Sequence, residues 1–411
     1  MAQPERTEEG AEAGNRASKR TSQGGIRALG LGLITGAADD DCSAIGTYAS
    51  AGAKFGPALL WTAPVTFPMM FTVVYLSSKL GQVSGCGLFQ VIRDYMPRWV
   101  LYATLVGVML GNTIEAAADL GGMAAAINLF VPLPIPLIVI PIGLIILALQ
   151  IWGSYTLIRN IFRWLALSLL AYVVAAVLAK PDPLQVLRGT FIPTIQFNRE
   201  FLSILMAILG TTLSAYPYTW QSNEEVEEEI AQGRNTVEER KGATREELRQ
   251  SRRDILWGHG LLQHHHVLHH PGDRLDAAGI LFAAGIISVG FLAVPVMTAG
   301  AAYDLVQSFG WRHSLHAKFR EAKGFYVTII VVTAVAAGMN FIGINPMKAL
   351  VYSGIVQGFS TPPLLLLIML LTNNRKVMGK QVNSRWMNVL GWITTAAIFA
   401  ATLGLVATWV M

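Results

Sequence analysis

Three consecutive carboxylates in an otherwise apolar stretch are the feature of this chain most able to do chemistry. Asp39, Asp40 and Asp41 lie between the apolar run Ile26–Ala38 and the weakly polar run Cys42–Trp61. A charge at the centre of a membrane span costs about 2.5–3.5 kcal/mol on insertion scales, so such acids usually face a cavity and serve a function. The alternative is a surface loop, but both flanks are hydrophobic enough for burial. The triplet therefore predicts a cation site within the membrane.

A second polar interruption lies at residues 210–218, where hydroxyl side chains precede a helix-breaking proline, Pro217. Unwinding at both places would free backbone carbonyls to face a cation. Hydroxyl and carbonyl oxygens are hard ligands, suited to Mg²⁺, Ca²⁺ or Mn²⁺. The alternative for this second stretch is a simple proline kink.

The composition identifies the elements that must position these residues. Of 411 residues, 53% are hydrophobic and 14% charged, against about 25% charged in soluble domains, so we expect an integral all-α membrane protein. The net charge of +5 does not point to a nucleic-acid partner, because the basic residues lie in short loops beside the spans. Apolar segments of about 20 residues predict these spans: Ile26–Ala53, Pro57–Leu80, Val100–Phe130, Leu133–Trp152, Ile161–Ala179, Phe201–Trp220, Ala277–Tyr303, Tyr326–Ile344, Ala349–Leu371 and Val389–Val410.

The basic loops predict an orientation and expose a missing span. Lys and Arg concentrate on the cytosolic side, which places the N-terminus in the cytosol. The expected location is the cell (inner) membrane. The loops Asn223–Asp254 and Arg312–Lys323 should both be cytosolic, yet only one span, Ala277–Tyr303, separates them. Two loops on the same side of the membrane must be separated by an even number of spans, so one span is missing. Charges of both signs in Glu224–Asp254 are typical of a solvated face.

The gap falls on Ile255–Asp276, which holds six of the eight histidines. One interpretation is a metal-binding loop. The other is a local frame error, because reading one nucleotide later turns every histidine codon into ATN or ACN. A permitted back-translation from His259 then encodes an uncharged membrane helix, and the original frame resumes near Gly279. Sequencing the locus decides between these interpretations.

Restoring that helix gives eleven spans, of which the first ten form two inverted sets of five. The first member of each set carries a polar break, which points to a transporter with its site between the broken helices. The predicted organisation is a disordered cytosolic tail (1–25), the first repeat plus the broken sixth span (26–220), a cytosolic charged segment with the aberrant histidine-rich stretch (221–276), and the remaining transmembrane bundle (277–411).

The run Thr35–Ser43, followed by Ala51-Gly52-Ala53, resembles the first helix of the Nramp divalent-metal transporters. The sixth span is similar to a divergent branch of that family, which lacks the sixth-helix methionine and accepts magnesium. The resemblance implies the inverted-repeat fold shared with amino-acid transporters, a divalent metal as substrate and no cofactor.

Aligned on Ala51-Gly52-Ala53, the family's metal-binding aspartate is Asp41, and the asparagine ligand is replaced by Ala44. The methionine position falls on Ser214, and the proline and histidine positions fall on Ala215 and Tyr216. Losing the soft thioether should weaken discrimination against Mg²⁺ and Ca²⁺. The expected metal ligands are Asp41 first, then Asp40, Ser214, Tyr216 and the carbonyls of Ala38 and Ala215; Cys42 is either a soft ligand or a small packing residue.

Further polar residues lie on two other spans. Asn112, Glu115 and Asp119 share one helical stripe that could relay protons or attract cations, or could instead be a solvated outer end. The resemblance matches Asp119 to a family acid involved in proton movement and Glu115 to none. Gln357 lies one turn from the position of a metal-facing glutamine in relatives, which Gly354 occupies here.

The sequence thus predicts a transporter for Mg²⁺ and/or Mn²⁺, with Fe²⁺ as a further candidate, working by alternating access. It leaves proton coupling and oligomeric state open. We find neither a phosphate loop nor a nucleophile–base pair in the sequence, so we expect neither an enzyme nor an ATP-driven pump. The rivals are an amino-acid/cation symporter of the same fold, whose substrate carboxylate three aspartates would repel, and a non-functional frameshifted remnant.

Overall fold

The computed structural model describes Gly36 and residues 38–153, 182–262 and 277–410, together with Ile161, Leu165 and Val174. The predicted tail 1–25, most of the span Ile161–Ala179 and residues 263–276 of the histidine-rich stretch lie outside the described residues. The predictions for those segments therefore stay predictions.

All regular structure in the described part of the chain is helical, with no strand. The first eight helices are α1 (Cys42–Phe55), α2 (Thr62–Ser84), α3 (Leu88–Tyr95), α4 (Arg98–Asn128), α5 (Ile135–Trp152), α6 (Pro183–Phe191), α7 (Arg199–Thr212) and α8 (Ala215–Ala231). The others are α9 (Val237–Arg240), α10 (Arg245–Leu262), α11 (Ala277–Phe309), α12 (Lys323–Met339), α13 (Pro346–Thr372), α14 (Arg375–Met378) and α15 (Arg385–Val410), with 3₁₀ turns at Gly56–Leu59 and Asn340–Ile342.

Several of these helices can cross a membrane. In the described ranges, 7 are long and apolar enough, counting α7 and α8 as one span, and α1 with α2 forms a further pair bent by 110°. Trp99, Trp152 and Trp386 are exposed at span ends, where amphipathic aromatic rings favour the membrane–water interface. Seven predicted spans have counterparts with shifted ends: Val100–Phe130, Leu133–Trp152, Phe201–Trp220, Ala277–Tyr303, Tyr326–Ile344, Ala349–Leu371 and Val389–Val410. The described parts of Ile26–Ala53 and Pro57–Leu80 correspond to the bent pair of α1 and α2. α10 already includes Ile255, at the start of the predicted gap.

The first helix break is narrower than the polar run that predicted it. Ala38 and Asp39 are helical, Asp40 forms a bend, and Asp41 is extended with φ −68° and ψ 178°. The Asp41 carboxylate accepts a hydrogen bond from the Ala44 amide at 2.6 Å, which caps the start of α1. Asp41 therefore starts the second half of the helix and lies at the break itself.

The second break lies before the proline rather than at it. α7 ends at Thr212 and α8 begins at Ala215, so Pro217 is the third residue of α8. Its ring would clash with the carbonyl of Leu213 in a continuous helix, whereas the first turn of a new helix needs no amide hydrogen there. The chain therefore breaks at Leu213 and Ser214, and Ser214 is extended with ψ 157°.

Close packing brings the two breaks together. α7 packs against α13, α8 against α2, and α11 along α4. A Cβ on Gly210 would lie 1.8 Å from the Gly354 carbonyl oxygen, so α7 and α13 touch through their backbones. Buried apolar side chains form one large cluster mainly on α4, α5, α11 and α12, and another mainly on α2, α3, α13 and α15.

The prediction of a solvated face over Glu224–Asp254 is wrong for its first part. α8 continues to Ala231, past the expected boundary at residue 220, and buries Glu224, Glu225, Glu227 and Glu229. The reason is that α8 packs against α2 and α11 along its length, and those helices supply hydrogen-bond donors to its acids. A charge pattern alone does not reveal such partners.

Candidate metal-binding site between two broken helices

The two breaks meet through Tyr216 and Asp41. The Tyr216 hydroxyl, on the first turn of α8, lies 3.1 Å from Asp41 Oδ2 and 2.5 Å from the carbonyl oxygen of Ala38. All three residues are completely buried. One hydroxyl hydrogen serves two acceptors here, so a carboxylate oxygen and a freed carbonyl converge with a hydroxyl in a buried place. The structure thus brings together the predicted residues Asp41, Ala38 and Tyr216.

The acid stripe of α4 faces the same place and is not a solvated outer end. Asn112, Glu115 and Asp119 are completely buried. Asp119 Oδ1 accepts hydrogen bonds from the amide of Ser43 at 3.0 Å and from its hydroxyl at 2.9 Å. The Ser43 hydroxyl also lies 2.8 Å from that of Ser353 on α13. Three helices therefore meet at the start of α1.

Glu115 reaches both Asp41 and α13. Its carboxyl group is in hydrogen-bonding contact with that of Asp41, and its Oε2 accepts from Gln357 Nε2 at 2.5 Å. Gln357 also lies 3.3 Å from Asn112 Oδ1, and its own amide oxygen accepts from Ser360 at 2.8 Å. Gln357 therefore belongs to the buried network, although the sequence placed it one turn from the family position.

Two predicted ligands point elsewhere. The Ser214 hydroxyl donates to the Thr211 carbonyl of its own break at 3.1 Å. The Cys42 thiol lies 3.4 Å from the Ile286 carbonyl on α11, which is a packing position. Asp40 is buried at the bend, and Ala215 is buried as the first residue of α8.

The chemistry of the site is that of oxygen ligands. In the described ranges, no three His, Cys, Asp or Glu side chains are placed to hold a metal by themselves. A cation here would need carbonyl, hydroxyl or amide oxygens beside the carboxylates, the donors that hard divalent ions favour. Asp39 Oδ1, Asp119 Oδ2 and Glu115 Oε1 have no hydrogen-bond partner among the described residues.

A second polar centre, which the sequence did not predict, lies at the far end of α8. Glu227 accepts hydrogen bonds from the Tyr303 hydroxyl at 2.6 Å, from the Ser314 hydroxyl at 2.8 Å and from the Leu315 amide at 3.1 Å. His316 Nε2 lies 3.7 Å from the same carboxylate. Glu227 thus ties α8 to α11 and to the loop after it. The sequence predicted this loop, Arg312–Lys323, only as a basic cytosolic segment, and no spacing in it indicates this partner.

His313 in that loop is held as a neutral ring. Its Nδ1 lies 2.9 Å from the Trp311 carbonyl oxygen and its Nε2 lies 3.3 Å from Gln307 Nε2. A hydrogen on Nδ1 and a lone pair on Nε2 satisfy both contacts. Burial lowers the pKa of His313.

The comparison with sequence families decides the class of this chain. The model of the family described as natural resistance-associated macrophage protein-like, or Nramp, matches residues 32–265 and 261–408. The chain belongs to the Nramp family. Members of this family are transporters, not enzymes. The two matched parts of this Nramp chain overlap at residues 261–265, inside the histidine-rich stretch.

Curated relatives of this Nramp chain share its length and about a quarter of its residues. The divalent metal cation transporter MntH of Bacillus subtilis is 26% identical over 406 residues, covering 92% of this chain and 91% of that protein. MntH of Deinococcus radiodurans is 26% identical over 408 residues, covering 90% and 87%.

Solved structures confirm the predicted fold class. The manganese transporter of Eremococcus coleocola superposes with a TM-score of 0.69 at 19% identity, covering 93% of this chain and 85% of that one. Mhp1, a nucleobase-cation-symport-1 family transporter, superposes with a TM-score of 0.52 at 13% identity, covering 93% of each chain. The Nramp chain therefore has the all-α inverted-repeat fold that the paired broken helices indicated.

Proposed function

We propose that this Nramp chain carries a divalent cation through the membrane, with Mg²⁺ and Mn²⁺ as leading substrates and Fe²⁺ as a further candidate. The observation that carries the proposal is the contact of Tyr216 with Asp41 and Ala38. It joins the two helix breaks at a buried cluster of oxygen atoms, the arrangement expected of a transporter's central site. The printed names of the relatives, divalent metal cation transporter and manganese transporter, support the same class of substrate.

The donors around the break favour hard ions. Asp41 is the chief ligand in this proposal, with the Ala38 carbonyl and the Tyr216 hydroxyl next to it; Asp40, Ser214 and the Ala215 carbonyl complete the set if the breaks shift when the ion binds. Cys42 points to Ile286 and Ser214 replaces the family's methionine, so neither of these two positions presents a sulfur ligand to the ion. Oxygen donors suit Mg²⁺ and Mn²⁺, whereas sulfur would favour softer transition metals.

Alternating access would require movement at the cytosolic end of α8. Glu227 ties that end to the loop after α11 through three hydrogen bonds. Opening the site toward the cytosol requires these bonds to break or to move together. Asp119 and the rest of the α4 stripe are the groups available for a proton relay beside the site. The proposed location is the cell (inner) membrane, with the N-terminus in the cytosol.

Uptake into proteoliposomes tests the proposal. Vesicles containing the chain should take up Mn²⁺ and Mg²⁺, and Asp41→Ala should abolish the uptake. Glu200→Gln is the control, because Glu200 is an exposed acid paired with Lys54 in the first turn of α7, at the opposite end of that helix from the break. Absence of any Asp41-dependent flux of Mg²⁺, Mn²⁺ or Fe²⁺ would exclude the carrier assignment for this chain.

A second candidate is a transporter that has lost its seventh span and no longer transports. The observation that favours it is the division of the family match at residues 261–265, within the stretch where one span is missing. The test is to restore the apolar frame from His259 and compare uptake. Flux only in the restored chain would support the remnant, and equal flux in both would remove it.

A further inference from the structure

The helix α10 packs on the protein with one face and exposes the other. Ser251 lies 2.6 Å from the Ser78 hydroxyl of α2, and Ile255, one turn further along, is buried. Because an α-helix turns once in about 3.6 residues, the exposed face points away from α2. It carries three arginines followed by two apolar side chains: Arg249, Arg252, Arg253, Leu256 and Trp257.

A second basic segment is held beside the start of α10. Gln381 donates a hydrogen bond to the Ala243 carbonyl, 138 positions away, and Lys79 of α2 donates to the Val382 carbonyl at 3.2 Å. Residues 375–386 contain four basic residues and no acid. All four are exposed: Arg375, Lys376, Lys380 and Arg385. We call these four residues and the three arginines of α10 the basic patch.

The basic patch lies where the membrane-crossing part of the protein ends. The apolar span of α15 begins at Arg385, and the neighbouring Trp386 is 79% exposed. On α10, Trp257 is 61% exposed, and Arg252 lies close to the Tyr75 hydroxyl of α2. Exposed tryptophans favour the level of the lipid headgroups. Both segments of the patch therefore lie at that level.

The protein leaves the charge of the patch without a counter-charge of its own. None of its seven basic side chains forms an ion pair among the described residues. Glu246 and Glu247 lie in the first turn of α10, and Glu247 is paired with Arg234 at 3.0 Å; Asp254 is half-buried. Together, residues 245–257 and 375–386 contain eight basic residues and three acids. The surface is therefore positive.

We propose that the basic patch binds the headgroup phosphate of an anionic membrane lipid. Clustered Lys and Arg beside a membrane span attract anionic lipids, and a guanidinium group matches the geometry of a phosphate with two parallel hydrogen bonds. The acyl chains of such a lipid would lie along the exposed Leu256, Trp257 and Trp386. The inference goes beyond transport, because the patch includes neither helix break.

Thermal unfolding and native mass spectrometry of the purified full chain in a neutral detergent test the proposal. The probes are phosphatidylglycerol and phosphatidylcholine with the same acyl chains. The wild type should retain phosphatidylglycerol in preference and be stabilised by it, less so at about 1 M than at about 0.1 M salt. Exchanging the three arginines of α10 for Gln should weaken this binding about fivefold for each charge removed. Exchanging Lys376, Lys380 and Arg385 for Gln should do the same.

The control removes the same charge from the opposite ends of the spans. Arg188→Gln, Arg199→Gln and Lys348→Gln together alter three exposed residues and should leave phosphatidylglycerol binding unchanged. Asp41→Ala should also leave it unchanged, so a failure of the proposed metal transport would not affect this result.

Three outcomes would overturn the proposal. One is equal retention of the two lipids by the wild type, and another is an equal loss of binding in the control and the patch variants. The third is equal stabilisation by inorganic phosphate, which would make the patch a site for soluble anions. Should one patch variant fail to elute as a single species, the other decides.

Discussion

The Tyr216 hydroxyl lies 3.1 Å from the Asp41 carboxylate, although the two residues are 175 positions apart. The contact exists because each of their helices breaks at that level: Asp41 caps the start of α1, and Pro217 forces α8 to start anew after Leu213. A side chain from one break therefore reaches the freed carbonyl and the carboxylate of the other. The proposed metal site depends on this contact.

Removing the Tyr216 hydroxyl should lower the stability of the protein in the absence of divalent ions. In Tyr216→Phe, Asp41 Oδ2 and the Ala38 carbonyl lose a donor while remaining buried, which costs about 1–3 kcal/mol. We expect a lower melting temperature in detergent without divalent ions, and weaker Mn²⁺ binding by calorimetry. Tyr352→Phe is the control, because Tyr352 is exposed on α13. Equal melting temperatures for both variants would contradict the arrangement.

Truncation of Glu227 should remove the hydrogen bonds that tie the end of α8 to α11 and to the loop after it. Glu227→Ala removes an acceptor that serves Tyr303, Ser314 and the Leu315 amide. It leaves the buried Tyr303 hydroxyl unpaired, so we expect a loss of stability of about 1–3 kcal/mol. Hydrogen exchange should speed up over residues 312–322. Glu228→Ala, next along the same helix, should leave that exchange unchanged. Slow exchange in Glu227→Ala would show that the loop is held by other contacts.

Acid should destabilise the loop through His313. Burial lowers the pKa of His313 below the value of about 6.5 in an unfolded chain. As the pH falls from about 6.5 toward the folded pKa, the unfolded chain takes up a proton that the folded chain resists, so stability falls with pH. His313→Gln should flatten this part of the pH dependence in melting curves between pH 7.5 and pH 5. An unchanged slope in the variant would contradict the neutral ring.

Backbone contact between α7 and α13 should make Gly210 intolerant of any side chain. A Cβ there would lie 1.8 Å from the Gly354 carbonyl oxygen and 2.7 Å from the Gly358 nitrogen, and overpacking of this kind costs about 1–3 kcal/mol or more. Gly210→Ala should therefore lower the melting temperature. Gly107→Ala, which meets nothing within 4 Å, should leave it unchanged or raise it. Similar melting temperatures for the two would show that the helices separate easily.

The sequence predicted the fold class and the location of both breaks because those properties are local. The length of an apolar run predicts a membrane span, and an acid triplet or a proline within it predicts an interruption. Neither prediction requires knowing which other helices pack against the segment. The resemblance to the Nramp family placed Asp41, Ala38 and Tyr216 in one site, in agreement with the expectation that inverted repeats bring paired breaks together. The structure brings those three residues into contact.

Side-chain direction could not be predicted in the same way. Cys42 and Ser43 are adjacent, yet one faces Ile286 on α11 and the other Asp119 on α4. Ser214 turns to the Thr211 carbonyl because the unwound turn leaves that acceptor within reach. Such choices depend on which helix packs on which side, information that no single segment contains.

Long-range polar partners were missed for a related reason. The acids of α8 alternate with basic residues further along, a pattern typical of solvated faces, yet Glu227 is buried because Tyr303 and Ser314 approach it from elsewhere in the chain. The contact of Glu115 with Asp41 was likewise missed: the helical stripe predicted that Glu115 faces the bundle, but its spacing says nothing of what it meets there.

The most direct test of the central claim is an anomalous difference map from crystals of the full chain soaked in Mn²⁺. We expect a peak between the two breaks, in contact with the Asp41 carboxylate and the Ala38 carbonyl, that disappears in Asp41→Ala. A peak elsewhere, such as in the histidine-rich stretch, with none beside Asp41, would contradict it.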